Sequence, residues 1–128
     1  MEHLKEVAQG KKNFRNVIRL CKRVRDTYNF RVSSFAIESA IVGYADGNYW
    51  YNDLYPDFRV VLKSLIRVFR GGVILDPFDN QNNLIAGVEH LGWYAERLER
   101  IVDGMEECAD RTRQDEVRER LYGLLEKQ

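Results

Sequence analysis

Reactive side chains are scarce in this sequence. Its 128 residues hold two histidines and two cysteines. His3 lies near a terminus. His90 is a candidate general base, but Val88-Glu89-His90-Leu91 sets no Ser or Cys nucleophile beside it, which favours a half-exposed helix residue. Cys21 and Cys108 stand far apart at apolar positions, with no Cys-x-x-Cys or Cys/His spacing for zinc and no disulfide framework. A glycine-rich phosphate loop leading into a helix is missing. So is any apolar run near the ~20 residues that span a bilayer. Met1 to Gly10 is polar and mixed in charge, unlike a signal peptide. These absences predict a soluble, cytoplasmic domain with no membrane partner and no independent catalysis.

Net charge is also absent, with 20 Lys and Arg against 20 Asp and Glu, but the balance hides an asymmetry. Lys11, Lys12, Arg15, Arg19, Lys22, Arg23, Arg25 and Arg31 face only Asp26 between residues 11 and 31, whereas the chain beyond Asp76 is rich in acids. That many cations on one helix exceeds what solubility requires and points to an anionic partner.

The remaining pattern is helical. Prolines (two) and glycines (nine) divide the chain into blocks, and only Gly72 to Leu75 hints at a strand, too short to build a sheet. A first block from about His3 to Tyr28, broken near Gly10, carries Phe14, Val17, Ile18, Cys21, Val24 and Tyr28 as one apolar stripe. Asn29-Phe30-Arg31 reads as a turn. Ser33 is a natural cap for a second helix to about Tyr44, and Val32 with Ile37 has the spacing of a hydrophobic staple. A third helix follows Asn52 or Asp53, shows Phe58, Val61, Leu62, Leu65, Val68 and Phe69, and stops at Gly71-Gly72. Asp76 to Asn83 is coded as a loop, its acids shaping the turn around Pro77 rather than holding a metal. A fourth helix starts near Asn83 and shows Tyr94, Leu98, Ile101, Val102, Met105 and Cys108. Thr112 with Asp115 opens a last one bearing Val117, Leu121, Leu124 and Leu125. A single all-α domain is predicted, a five-helix, mainly up-and-down bundle.

Two segments suggest binding. Lys22 lies on the basic face, and Ser34 falls in the first turn of the second helix, where a hydroxyl and free amides can meet a phosphate. Phe35 is suited either to the core or to stacking on a base.

The run Phe14-Arg15-Asn16-Val17-Ile18-Arg19-Leu20-Cys21-Lys22, followed by Val32-Ser33-Ser34-Phe35-Ala36-Ile37-Glu38, resembles the start of the helical lobe in a nucleotidyltransferase superfamily. That superfamily includes the oligoadenylate synthetases, cyclic GMP-AMP synthase with its bacterial relatives, and the poly(A) polymerases. Ile74-Leu75-Asp76-Pro77-Phe78-Asp79-Asn80-Gln81-Asn82-Asn83 resembles its Asp-Pro…Asn-Asn loop, on the nucleobase side of the site. The resemblance covers nearly the whole chain. It implies a substrate-binding bundle of the poly(A) polymerase and oligoadenylate synthetase type, with Lys22 and Ser34 on a donor triphosphate and Phe35 stacked on the base. Phenylalanine there keeps the stacking face and lacks the hydroxyl of the usual tyrosine. Asp76, Pro77, Asn82 and Asn83 would form the base-side loop, and Lys11, Lys12, Arg15, Arg19 and Arg23 a basic surface.

The superfamily's catalytic half carries a Gly-Ser turn and an Asp-x-Asp pair for metals, and this chain contains neither. The resemblance therefore implies no cofactor bound by this chain. Mg2+ would come with a separate nucleotidyltransferase catalytic domain, in cis or in trans, as partner to the lobe and its nucleoside triphosphate. Met1 falls where the superfamily chain leaves that core, which fits either an excised lobe or a free-standing relative. Two other readings stand beside this one. The basic helix could bind RNA or DNA as a free-standing interaction module, or the basic first half could pair with the acidic last half in a homodimer.

Overall fold

The computed structural model describes residues 2–107, 116, 118–121 and 123. Along them run α1 (Glu2–Ala8), α2 (Phe14–Thr27), α3 (Ser34–Ala45), α4 (Leu54–Gly71), β1 (Leu75–Asp76), β2 (Asp79–Asn83) and α5 (Leu91–Glu107). Residues 116, 118–121 and 123 are helical too. The described residues are mostly helix with one two-stranded sheet, consistent with an all-α class. Cys108, Thr112, Asp115, Val117, Leu124 and Leu125 lie outside the described residues.

The first helical block is two helices. Gly10 and Asn13 both take positive φ, which breaks the backbone between α1 and α2. The stripe of α2 is wider than predicted, because Leu20 is buried alongside Phe14, Val17, Ile18 and Cys21. Burial also pushes the Cys21 thiol far above its ordinary range.

Central to the packing is α3. Ala36, Ile37, Ser39, Ile41, Val42 and Ala45 are all buried, so it is apolar around most of its circumference. It touches α1, α2, α4 and β1. Its start matches the sequence pattern: Ser33 Oγ accepts from the Ala36 amide at 3.0 Å, and Val32 and Ile37 are both buried. The preceding turn is fixed from α5. Phe30 stacks on Tyr94 at 4.3 Å between ring centroids, and the Arg31 amide donates to Tyr94 Oη at 3.0 Å.

The most extensive helix contact is between α4 and α5. Its apolar seam is flanked by Lys63–Glu106 at 2.7 Å and by Arg70–Glu99. At the head of α4, Asp57 is fully buried, and its carboxylate accepts from the Tyr51 amide at 2.8 Å and the Asp53 amide at 3.0 Å. Asp53 in turn takes a two-pronged contact from Arg118, both at 2.9 Å. Gly72, at positive φ, ends the helix where Gly71-Gly72 predicts.

Two expectations fail between α4 and α5. The segment Asp76 to Asn83 is not an irregular loop but the main part of an antiparallel hairpin, pairing Leu75 with Asn83 and Asp76 with Asp79. Alternation is invisible there because the β2 residues Asp79 to Asn82 are exposed and polar. The other error is the start of the fourth helix, which begins at Leu91 rather than near Asn83. Gly87 and His90, both at positive φ, keep the intervening segment in turns. His90 is therefore not a helix residue. It sits exposed just ahead of α5, its carbonyl accepting from the Tyr94 amide at 3.0 Å.

Candidate nucleotide-binding face

Three elements converge at the N-terminus of α3. From α2, Lys22 Nζ reaches Glu38 of α3, and the two side chains are 27% and 24% exposed. One turn on, Arg25 Nη1 donates to Ser34 Oγ at 2.7 Å while its Nε donates to Asp26 at 2.9 Å. Both Lys22 and Ser34 therefore lie where α2 crosses the start of α3. The third element is the hairpin, whose Phe78 ring lies parallel to Phe35, at 4° and 6.4 Å between centroids. Phe35 is half-buried and outside the core, its ring stacked against Phe78.

The electrostatics suit an anion. No acid occupies the first turn of α3, and helix geometry leaves the Ser34 and Phe35 amides outside the intrahelical ladder. On α2, Arg19, Lys22, Arg23, Arg25, Asp26 and Thr27 line an open depression of about 520 Å³, linked to the start of α3 through the Arg25–Ser34 bond. Lys22 carries its counter-ion, Glu38, so an arriving phosphate would compete with that carboxylate or share the cation with it.

The basic residues line two hollows along the first half of the chain. Arg19 and Arg23 belong to this depression, whereas Lys11 and Arg15 line a separate hollow near the start of α2 with Ala8, Asn13, Phe14 and Asn16. Lys12 has a structural share, since its amide donates to Asn52 at 3.0 Å and its carbonyl accepts from the Trp50 indole at 2.8 Å.

In the hairpin, the side chains mainly shape the backbone. Asp76 Oδ1 accepts from the Phe78 amide at 2.8 Å, and Asp79 Oδ1 from the Gln81 amide at 3.1 Å. Both are Asx turns, the role that acids around a proline predict. Neither Pro77 nor Phe78 has positive φ, so the turn is built on the ordinary geometry that Pro77 presets. Asn83 ties the neck. Its Oδ1 accepts from the Ile74 amide at 3.0 Å and the Ile85 amide at 3.2 Å, and its Nδ2 donates to the Gly72 carbonyl at 2.8 Å. Asn83 fixes the loop, whereas Asn82 is exposed on the hairpin with its amide 3.4 Å from Asp76.

Three neighbours of the face are not among the site residues that the sequence predicts: Arg25, Glu38 and Phe78. Arg25 and Glu38 act across a helix crossing, which no one-dimensional spacing encodes. Phe78 had a usable signal, a lone aromatic in an otherwise polar turn. Among the described residues, no group of three or more His, Cys, Asp or Glu side chains could hold a metal ion. No described helix is long and apolar enough to cross a membrane.

Comparisons with protein-family models, with curated proteins and with solved structures return no match for this chain.

Proposed function

We propose that this chain is a nucleotide-binding helical lobe of a template-independent nucleotidyltransferase, a mainly up-and-down bundle of the substrate-binding type named above. It holds a nucleoside triphosphate for a catalytic domain that supplies the Mg2+ ions and the chemical step. The observation that carries this reading is the meeting of two sequence-distant motifs. Lys22 and Ser34 lie at the crossing of α2 and α3, and the Asp76–Asn83 hairpin reaches the same helix start through Phe78 and Phe35. Lys22, Ser34 and the α3 amides take the triphosphate, Arg19, Arg23 and Arg25 add positive potential, and Phe35 takes the base.

Calorimetric titration of ATP and GTP into the chain and its variants tests this. Lys22→Ala is expected to weaken binding by about ten-fold or more, the loss of one charge-assisted contact, and Ser34→Ala several-fold. Glu38→Gln works in the opposite direction, tightening binding several-fold because it removes the carboxylate that competes for Lys22. Wild-type affinity in both alanine variants contradicts the assignment.

A second reading, RNA or DNA binding along α2 and the turn before it, draws on Lys12, Arg15 and Arg19, which are exposed. It predicts binding that ignores nucleotide identity and weakens steeply with salt.

A further inference from the structure

Arg31 stands in the turn between α2 and α3, outside both helices. Its backbone is fixed, because its amide donates to Tyr94 Oη at 3.0 Å and its neighbours Phe30 and Val32 are buried. Its side chain is exposed, and it makes no ion pair or side-chain hydrogen bond among the described residues.

Arg31 lines an open hollow of about 530 Å³ whose other residues, Gly87, Val88, Glu89 and His90, come from the turn ahead of α5. That turn is tied down as well. The Val88 amide donates to the Ile85 carbonyl at 3.2 Å, Ile85 is buried, and Val88 packs on the core. Tyr94 holds both walls, since its hydroxyl takes the Arg31 amide and its own amide donates to the His90 carbonyl at 3.0 Å. The gap between the walls is therefore set by the fold.

The charges across this gap are opposite, and they do not neutralise each other. Among the described residues, the charged neighbour of the Glu89 carboxylate is the His90 ring at 3.8 Å, and Arg31 and Glu89 form no ion pair although they line one hollow. A lone anion would gain Arg31 and meet Glu89, and a lone cation would meet the reverse. A ligand that carries both charges on one short frame satisfies both walls. Val88 adds an aliphatic contact, and the volume suits a small molecule, since ligand pockets run to about 300–1,000 Å³.

We infer that this hollow is a binding site for the zwitterion of an aliphatic α-amino acid, with the carboxylate on the Arg31 guanidinium, the ammonium on the Glu89 carboxylate and the side chain against Val88. Arginine supplies a two-donor fork matched to a carboxylate, and the acid on the opposite wall accepts from an ammonium. None of these side chains belongs to the nucleotide-binding face, and the inference does not depend on that reading.

Calorimetric titration of the full chain with L-leucine, N-acetyl-L-leucine and L-leucinamide tests the site. The acetyl group removes the ammonium charge, and the amide removes the carboxylate. Leucine is expected to bind saturably and each derivative about ten-fold more weakly, the loss of one charge-assisted contact. Two variants at exposed positions assign the contacts. Arg31→Gln should weaken leucine about ten-fold without weakening leucinamide, and Glu89→Gln should weaken leucine to a similar extent without weakening N-acetyl-leucine. Absence of saturable leucine binding to the wild-type chain, derivatives that bind as well as leucine, or full leucine affinity in either variant overturns the assignment.

Discussion

Asp57 shows how a single residue can hold the site's scaffold without touching the site. A carboxylate with no exposed surface is costly, and burial raises its pKa above the ordinary aspartate range. Hydrogen bonds from the Tyr51 and Asp53 amides act against that rise, and they explain why an acid is tolerated at the head of α4. The sign of the pH effect follows. With its folded pKa raised, the native state binds this proton more tightly than the unfolded chain does. The Asp57 contribution is therefore most favourable below the ordinary aspartate value, and it falls as pH climbs through the raised one. Urea denaturation of the wild type and Asp57→Asn across mildly acidic pH checks this. The stability difference between the two is expected to shift in favour of the variant as pH rises, then level off. Asp57→Ala, which leaves both amides without their acceptor, should cost about 1–3 kcal/mol at acidic pH and less as pH climbs through the raised pKa. Nothing in the sequence announces this residue, since an acid near a helix start reads as an exposed dipole partner.

Helices were legible where their apolar stripes repeat and their ends are coded. Ser33, Val32 and Ile37 act in the structure as their types and spacing predict, and so does Gly72. The hairpin was not legible, because its order comes from side-chain-to-backbone bonds rather than from a buried face. Period-two patterning marks a strand only when one side is covered, and Asp79 to Asn82 have neither side covered. The late start of α5 has a similar cause, since positive φ at His90 is a choice that few non-glycine residues make. Asn83 is the residue on which the hairpin depends. Asn83→Ala removes the acceptor for two amides and the donor to Gly72, a loss of about 1–2 kcal/mol at a half-buried site. Amide hydrogen exchange should then accelerate across the hairpin while α4 and α5 stay protected, because the two helices hold each other through their own seam. Equal acceleration in α4 would show that the hairpin is not an independent element.

Across the whole molecule, the arrangement places a central helix, α3, against its neighbours so that only its N-terminal end meets the charged crossing and the hairpin. The charge asymmetry of the sequence survives as basic side chains that line a depression on α2 and a hollow near Lys11. The candidate site was half legible. Lys22, Ser34 and Phe35 could be named from motif and position, but Glu38, Arg25 and Phe78 depend on how helices cross and where a turn lands. This one face is proposed to hold a nucleoside triphosphate. The most direct test is a map of backbone amide chemical shifts during ATP titration. The expected result is saturable movement concentrated at Ser34 and Phe35, extending to Lys22 and to Phe78, with little change along α4. Movement confined to Lys11 through Arg15, or no saturable movement at millimolar ATP, would contradict it.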